Sequence, residues 1–244
     1  MAKHQGDSRP FHFKQFSLFH HRSSMKVGTD AVLLGAWVDV NSVETILDVG
    51  SGSGIISLLL AARCHANIHA VDIDEASIEE SSENFRNSKF SRQLSCRKID
   101  FVEYADTCTS RYDLIVSNPP FFTNYRFKPK EKSRKNARHV DTLSTEQLCA
   151  GISKLLKPDG KFCLVFPKSE QKSFLETASR FQLHLQKQLN IFPVRNQTAN
   201  RVNLQLGFKK PEKTETDDFI IRENDLTFTA RHINFLKDYY IGWD

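Results

Sequence analysis

Signatures of several common kinds of site are missing from this sequence. Its five cysteines include no Cys-x-x-Cys pair and its nine histidines show no ligand spacing, so we expect no metal. No apolar run approaches the ~20 residues that a transmembrane helix needs, which argues against a membrane span. The polar segment 1–15 lacks the apolar core of a signal peptide, and scattered, odd-numbered cysteines are typical of reduced thiols. We therefore expect a cytoplasmic protein.

Two nucleotide-binding signatures are also absent from the one glycine-rich stretch, residues 46–54. No Gly-Lys-Ser/Thr follows it, which excludes a P-loop, and the dinucleotide fingerprint Gly-x-Gly-x-x-Gly would require glycine at Ile55. The pattern that is present is Asp-x-Gly-x-Gly-x-Gly, from Asp48 through Gly50 and Gly52 to Gly54. It predicts a strand, a tight turn and a helix whose first N–H groups approach a ligand. A glycine-rich turn without a ligand is the alternative at this point.

Length and charge limit the number of domains and the kind of partner. A chain of 244 residues fits one α/β domain, which we divide into an N-terminal arm and helix (1–40) and a core (41–244). With 34 Lys and Arg against 29 Asp and Glu, the formal net charge of +5 permits a polyanionic partner without requiring one. We expect a monomer.

Alternating strand and helix patterns predict a mostly parallel sheet with one antiparallel strand and helices on both faces. Seven strands are expected, at 46–49, 68–72, 94–99, 112–117, 162–166, 183–189 and 202–208. Helices are expected at 31–38, 55–62, 74–84, 148–156, 174–181 and 229–240. Thr29 or Asp30 is expected to cap the first helix, and Ser144 with Gln147 forms a capping box. Residues 158–160 suggest a turn, and residues 209–218 a charged loop.

Acidic residues follow the second and third predicted strands. Asp72 ends the strand at 68–72 and lies 22 residues beyond Gly50, where a carboxylate can accept hydrogen bonds from ribose hydroxyls. Asp74, two residues later, is expected to cap the next helix; in the alternative interpretation both acids are caps. Asp100 and Phe101 follow the strand at 94–99 and place a carboxylate beside an aromatic residue.

The fourth predicted strand ends in Asn118-Pro119-Pro120-Phe121, a more specific motif than the glycine loop. Two prolines hold the backbone stiff and leave their carbonyl groups free to accept hydrogen bonds. The Asn118 side chain adds an amide oxygen and Phe121 adds a flat apolar face. Together these groups predict a slot for a planar group that bears an NH2. The alternative is that Pro-Pro merely ends a strand.

The N-terminal segment 1–24 mixes aromatic and basic residues. Phe11, Phe13, Phe16 and Phe19 are spaced among basic and histidine residues, and the alternation at 11 and 13 suggests a short strand or arm. We interpret these aromatic residues as surface packing rather than as a platform for nucleic-acid bases.

The glycine loop followed by Asn-Pro-Pro-Phe resembles the S-adenosylmethionine-dependent methyltransferases that act on exocyclic or amide nitrogens. The resemblance implies a Rossmann-like class I fold with S-adenosylmethionine as cofactor. The implied roles are the methionine part of the cofactor for Gly50, Gly52 and Gly54, ribose for Asp72, and the adenine amine for Asp100, with Phe101 beside the adenine. The acceptor nitrogen would lie against Asn118, Pro119, Pro120 and Phe121. Further cofactor contacts implied by the resemblance are Lys26, Thr29, Asp48, Ile73 and Asn118.

A narrower resemblance covers nearly the whole chain. The segments 13–16, 25–30, 33–37, 137–139 and 200–202 are similar to the bacterial tRNA1(Val) (adenine-37-N6)-methyltransferase family, and Lys26-Val27-Gly28-Thr29-Asp30 is the most discriminating match. The chain departs from the family pattern at Phe121, where the family has tyrosine, and has Asp72 where glutamate also occurs. The resemblance implies N6 methylation of an adenosine next to the anticodon of a tRNA.

A basic run directly after the slot is expected to contact tRNA phosphates. Its members are Arg126, Lys128, Lys130, Lys132, Arg134, Lys135 and Arg138. A solvated charged loop is the alternative interpretation of such a run. Protein glutamine N5-methyltransferases and rRNA guanine N2-methyltransferases share parts of the slot and remain alternative functions, as does a non-catalytic RNA-binding module.

Overall fold

A computed structural model describes residues 9–23, 26–119 and 143–243 of the chain. The strands in this part are β1 (Phe11–His12), β2 (Ser17–Leu18), β3 (Thr45–Val49), β4 (Asn67–Asp72), β5 (Leu94–Lys98), β6 (Tyr112–Ser117), β7 (Leu156–Pro167), β8 (His184–Val194), β9 (Arg201–Gly207) and β10 (Glu215–Arg222). The helices are α1 (Thr29–Trp37), α2 (Ile55–Ala61), α3 (Glu75–Asn87), α4 (Phe101–Thr107), α5 (Thr145–Leu155), α6 (Gln171–Arg180) and α7 (Ala230–Leu236).

The central sheet has eight strands in the order β10-β8-β9-β7-β6-β3-β4-β5. β9 runs antiparallel to both of its neighbours, β7 and β8, whereas all other pairs in the sheet are parallel. The predicted class of sheet is therefore confirmed, with one strand more than expected. The extra strand is β10, whose first four residues are exposed and include three acidic residues. The charged loop predicted at residues 209–218 overlaps the start of this strand, because an exposed edge strand lacks the buried alternation that marks a strand.

Both faces of the sheet are covered, so its central strands are buried on both sides. In β3, Ile46 packs into one hydrophobic cluster and Leu47 into another, and both residues are fully buried. The first cluster includes apolar residues of α1, α2 and α3, and the second includes residues of α4, α5 and α6. This arrangement explains the nearly continuous apolar runs of β3 and β6.

The predicted turn at residues 158–160 lies inside a long, irregular strand. The β6–β7 register pairs Tyr112 with Leu156 but Leu114 with Lys161, so β7 contains extra residues at this point. Such a bulge accommodates Pro158 and Gly160 without ending the strand.

The predicted helix caps are partly confirmed. Ser144 and Gln147 form the expected capping box at α5. At α1 the prediction was wrong, because Gly28 occupies the cap position without a side-chain hydrogen bond and the helix begins at Thr29. Asp30 instead forms an ion pair with Arg201 at 3.0 Å, which connects α1 to the start of β9.

The N-terminal arm contains the predicted short strand, but two of its aromatic residues belong to the core rather than to the surface. Phe13 and Phe16 are buried, while Phe11 keeps 37% of its surface exposed. β1 and β2 form a two-stranded antiparallel pair, and Phe13 also bridges to Tyr240 near the C-terminus. None of the helices in the described part of the chain combines the length and apolar character needed to cross a bilayer.

His232 on α7 is a buried histidine with a depressed pKa. Its side chain stacks on Phe228 with ring centroids 4.7 Å apart, and only 2% of the residue is exposed. Within the described residues, Nδ1 has no hydrogen-bond partner. Burial, together with the nearby Arg222 charge, lowers the pKa of His232 to about 4.

We predict that this histidine makes folding stability depend on pH. The unfolded chain binds a proton at His232 near pH 6.5 and the folded chain only near pH 4, so its contribution is complete above 6.5 and is lost as the pH falls towards 4. His232→Phe should reduce the loss of unfolding free energy between pH 7.5 and 5 by about 2 kcal/mol, measured by urea denaturation. The same substitution at exposed His65 is the control. An unchanged pH dependence in His232→Phe would contradict the assignment.

Candidate cofactor and acceptor site

The glycine loop connects β3 to α2 through backbone conformations that favour glycine. Gly50, Gly52 and Gly54 have φ values of +72°, +54° and +80°. A Cβ atom on Gly50 or Gly52 would meet no atom within 4 Å, whereas on Gly54 it would lie 2.4 Å from the Phe85 ring. Two glycines therefore border open space that a ligand can occupy, and the third allows α3 to pack closely against the loop.

Asp48 lies beneath this loop and is fully buried. Its Oδ2 accepts hydrogen bonds from the backbone N–H of Ser57 at 3.2 Å and from the Ser57 hydroxyl at 2.7 Å. Oδ1 is buried and has no partner among the described residues. Burial raises the pKa of Asp48 to about 6, although the bonds from Ser57 act in the opposite direction. One carboxylate oxygen thus remains for a further donor.

Asp72 connects the end of β4 to the glycine loop. Its Oδ2 accepts a hydrogen bond from the Gly52 N–H at 2.8 Å, and its Oδ1 accepts one from the Asp74 N–H at 2.9 Å. Burial raises the pKa of Asp72, and these backbone donors oppose that shift. Asp74 caps α3 through the Ser77 N–H, as predicted. Ile73, between the two acids, is an exposed apolar side chain at 54%.

Asp100 and Phe101 lie where β5 leads into α4, but their side chains have structural roles that the sequence did not indicate. Asp100 Oδ1 caps α4 by accepting the N–H groups of Val102 and Glu103, and Oδ2 has no hydrogen bond within the described residues. The Phe101 ring is buried, and a Cβ on Gly151 of α5 would lie 2.4 Å from it. The ring is therefore part of the core, and only the Phe101 backbone remains for the predicted position beside an adenine.

Asn118 follows β6 directly beside the glycine loop. Ser117 pairs with Val49 across the parallel strands, and its hydroxyl donates to the Val49 carbonyl at 2.8 Å. The next residues, Asn118 and Gly50, are therefore neighbours at the carboxyl edge of the sheet. Asn118 Oδ1 is buried and accepts no hydrogen bond from any described residue. Pro119 follows it in the described chain.

The remaining predicted residues either lie at the start of α1 or lie outside the described residues. Lys26 and Thr29 are exposed at the start of α1, and neither side chain has a hydrogen bond within the described residues. α1 packs on α2, where Gly35 lies against Leu59. Pro120, Phe121 and the basic run of Arg126, Lys128, Lys130, Lys132, Arg134, Lys135 and Arg138 lie outside the described residues.

Two residues of α3 that we did not predict connect the N-terminal arm to the glycine loop. Glu80, which is fully buried, accepts the backbone N–H groups of His21 and Arg22 at 2.8 Å and of Ser23 at 2.9 Å. Asn84 donates to the carbonyl groups of Ser53 at 2.9 Å and Phe19 at 2.8 Å. It also accepts the Phe19 N–H at 2.8 Å. Together they hold the arm against the helix that borders the loop.

A sequence signal for this arrangement exists at helical spacing. The buried residues Ser77, Glu80, Ser81 and Asn84 lie at positions i, i+3, i+4 and i+7 of α3 and form one face. Such a face is small and polar, so a search for apolar periodicity does not detect it.

A metal site is not formed by these acids. Across residues 9–23, 26–119 and 143–243, no three His, Cys, Asp or Glu side chains lie close enough together to hold a metal ion.

Comparison with known proteins decides the family. A model described as "Methyltransferase small domain" matches residues 19–190. A tRNA1(Val) (adenine(37)-N6)-methyltransferase from Trichodesmium erythraeum is 40% identical over 236 residues, covering 96% of this chain and 98% of the relative. The protein of the same name from Phocaeicola vulgatus is 39% identical over 232 residues, covering 95% and 97%. The chain belongs to the tRNA1(Val) (adenine(37)-N6)-methyltransferase family. Its predicted family and enzyme class are therefore confirmed.

Solved structures support the fold. A predicted O-methyltransferase from Agrobacterium tumefaciens superimposes with a TM-score of 0.66 at 16% identity, covering 86% of this chain and 96% of that chain. The Rossmann-like fold of the family is thus present, and the glycine loop and Asn118 lie at the carboxyl edge of its sheet, where open α/β sheets bind ligands.

We predict that two glycines of the loop have separable roles. Gly52→Ala should lower the unfolding free energy by about 1 kcal/mol, because alanine disfavours the positive φ at this position. The loss should not be larger, since the added Cβ enters open space. Gly52→Ala should nevertheless weaken S-adenosylmethionine binding at least tenfold. Gly54→Ala should lower unfolding free energy by about 2–3 kcal/mol because its Cβ also collides with Phe85. Urea denaturation and titration calorimetry measure the two effects. Equal losses of unfolding free energy in the two variants would contradict the predicted difference between Gly52 and Gly54.

We predict that Glu80 stabilises the folded arm as a carboxylate. Burial raises the pKa of Glu80, but the backbone donors outweigh it and the pKa lies below its usual value. The stabilisation is therefore complete above pH 4.5 and is lost as the pH falls through the lowered pKa. Glu80→Gln should lower unfolding free energy at pH 7 by about 2–4 kcal/mol, because its NH2 group faces a backbone donor. Urea denaturation of this variant, with exposed Glu79→Gln as control, measures the loss; similar losses in the two would refute the prediction.

Proposed function

We propose that this protein transfers the methyl group of S-adenosylmethionine to the N6 amine of an adenosine in tRNA. Adenosine 37 of tRNA1(Val), the target in the names of its relatives, is the proposed substrate position. The observation that carries the proposal is the buried Asn118 Oδ1 beside the glycine loop, which has no hydrogen-bond partner among the described residues. A buried acceptor without a partner costs roughly 1–3 kcal/mol, which an NH2 group in the slot would recover.

The residues around the glycine loop fit the cofactor. The open space at Gly50 and Gly52 accommodates a group close to the backbone, and the exposed Ile73 offers an apolar surface next to Asp72. Asp72 retains lone pairs for ribose hydroxyls besides its two backbone bonds, and Asp100 Oδ2 is available to an adenine amine. Asp48 adds a buried negative charge near the site of a cationic ligand. S-adenosylmethionine, when bound, supplies an activated methyl group on a positively charged sulfur.

Asn118 and Pro119 would orient the acceptor amine. The lone pair of an adenine amine is delocalised into the ring, which makes the nitrogen a weak nucleophile. If Asn118 Oδ1 and the Pro119 carbonyl each accept one of its hydrogens, the nitrogen can become pyramidal and direct its lone pair out of the ring plane. Both acceptors also stabilise the positive charge that develops on nitrogen during transfer. Phe121 would stack on the base and hold its plane.

Positioning accounts for most of the catalytic effect in this proposal. The methyl group is already activated, so the chain has to hold two reactants in line at about 3–3.5 Å, which can contribute about 7–11 kcal/mol. The Asn118 amide cannot take up a proton at neutral pH, so the proton that the methylated amine releases passes to water. The chain therefore needs no buried general base in the slot.

The base has to leave its stack before it can enter the slot. Unstacking costs a few kcal/mol and is least costly in an unpaired loop, which suits an anticodon-loop adenosine. We propose that the basic run from Arg126 to Arg138, which follows the slot in sequence, contacts the phosphates of that loop. Relatives that are named as tRNA methyltransferases over the full chain favour this acceptor over a protein glutamine or an rRNA guanine.

Methyl transfer to defined acceptors tests the function directly. Tritiated S-adenosylmethionine should label bulk tRNA, but not ribosomal RNA or a release factor, when each is offered with the purified protein. Nucleoside analysis of the labelled tRNA should yield N6-methyladenosine. Labelling of the release factor or of guanine in ribosomal RNA would overturn the proposal in favour of that acceptor.

We predict that Asn118→Ala separates cofactor binding from turnover. The affinity for S-adenosylmethionine should stay within about threefold of the unsubstituted protein, while kcat on tRNA should fall at least about 100-fold because the amine loses its acceptor. Calorimetry and initial rates provide the two measurements. Asn67→Ala, an exposed asparagine at the opposite edge of the sheet, should leave both values unchanged. Turnover that persists in Asn118→Ala would exclude this role.

A further inference from the structure

The carboxyl edge of the sheet is divided by charge on either side of Asn118. Asp48, Asp72 and Asp100 lie at the ends of β3, β4 and β5. On the other side, four cationic residues lie at the ends or beginnings of β7, β8, β9 and β10. They are Lys168, Arg195, Arg201 and Arg222. Two of them, Arg195 and Arg201, form ion pairs with Glu223 and Asp30.

Strand direction places these cations at the same edge as the slot. β6 and β7 are parallel, and β9 is antiparallel to both β7 and β8, so the end of β7, the end of β8 and the start of β9 meet. A hydrogen bond of 3.1 Å from the Lys168 N–H to the Asn200 carbonyl joins them directly. Ser117 pairs with Leu164, and β7 continues to Pro167. β7 therefore extends about 10 Å beyond the level of β6 and forms a wall beside the slot.

The hairpin loop between β8 and β9, residues 195–200, forms the top of this wall. We refer to this loop as the β8–β9 tip. Its sequence is Arg-Asn-Gln-Thr-Ala-Asn, and all of its residues except Ala199 are exposed. Residues 194–203 contain no acidic residue. Arg, Asn, Gln and Thr are side chains that donate hydrogen bonds to phosphate and sugar oxygens in nucleic-acid complexes. The composition of the tip thus fits a sugar-phosphate chain.

Lys168 provides a fixed positive charge next to the tip. Its Nζ lies 2.7 Å from both Gln171 Oε1 and Asn190 Oδ1, and no carboxylate pairs with it among the described residues. Neutral amide oxygens hold the ammonium group in place without cancelling its charge. The tip itself is held because Arg195 forms an ion pair with Glu223, although that exposed pair balances part of its charge.

We propose that the β8–β9 tip and Lys168 form a docking surface for the phosphate backbone of the tRNA that flanks the target base. The inference rests on the proposed function and adds the residues that hold the substrate. The two ligands have opposite charges: the cofactor is cationic at its sulfur and the tRNA is a polyanion. Each therefore lies on the half of the edge with complementary charge, and the acceptor slot lies between them.

Binding of tRNA by a charge-matched pair of variants tests the surface. Lys168→Gln/Arg195→Gln removes two positive charges at the proposed docking surface. Lys209→Gln/Lys210→Gln removes two positive charges just after β9, at the opposite edge of the sheet. The first variant should weaken tRNA binding at least tenfold in about 0.1 M salt. It should also flatten the slope of log K against log salt by about 1–2, since each phosphate contact contributes about 0.7–0.9. S-adenosylmethionine affinity should stay unchanged in both variants, and the urea midpoint should fall only slightly in Lys168→Gln/Arg195→Gln, which loses the exposed Arg195–Glu223 pair.

Four outcomes separate the possibilities. An unchanged salt slope in Lys168→Gln/Arg195→Gln, or the same loss of tRNA affinity in both variants, overturns the docking surface. If Lys168→Gln/Arg195→Gln is unstable, Gln197→Ala/Thr198→Ala, which breaks no ion pair, should still raise the KM for tRNA severalfold without changing kcat; an unchanged KM also overturns it. If the unsubstituted protein neither binds nor methylates tRNA but labels another acceptor, the proposed function fails first.

Discussion

The positive φ angles of three alternating glycines are the constraint on which this cleft depends. They let the chain turn from β3 into α2 within five residues, a path that side chains with a Cβ rarely follow. The turn brings the Gly52 N–H to the Asp72 carboxylate and places Gly54 against Phe85. The loop is thereby attached to the end of β4 and to α3, and through Asn84 to the N-terminal arm. The open space at Gly50 and Gly52 is what remains between these attachments.

Parallel strands bring together residues that are far apart in sequence. Val49 and Ser117 are neighbours although 68 residues separate them, and this pairing puts Asn118 beside Gly50. One edge of the sheet thus carries the carboxylates of Asp48, Asp72 and Asp100, then the Asn118 amide, and then the basic residues at the ends of β7 and β8. Under the proposed function, a methyl donor and a polyanionic acceptor would occupy adjacent places at this edge.

Features with a local cause could be predicted from the sequence. The glycine loop, the Asp74 cap and the Ser144–Gln147 capping box each depend on residue types within a few positions, and the parallel sheet follows from apolar runs separated by helices. The position of Asn118 was predictable for the same reason, because it directly follows an apolar strand.

Features with a distant cause could not be predicted in this way. Glu80 resembled an ordinary exposed acid, and only the arm, 57 to 59 residues earlier in the chain, makes it a buried acceptor. Asp30 would cap a helix in isolation, but it pairs with Arg201 instead. The Phe101 ring entered the core because Gly151 of a separate helix leaves room for it. β10 lacked a detectable pattern because only one side of this edge strand is paired in the sheet.

The contact between the arm and α3 has a consequence for biosynthesis. Residues 19–23 leave the ribosome before their partners Glu80 and Asn84, which are made about 60 residues later. Closing a loop of that length has an entropic cost that only α3, packed on its sheet, can offset. Residues 19–23 are therefore expected to remain unattached during synthesis and to dock only after the glycine loop and α3 have formed, so that a segment translated before α3 reaches its folded position after it.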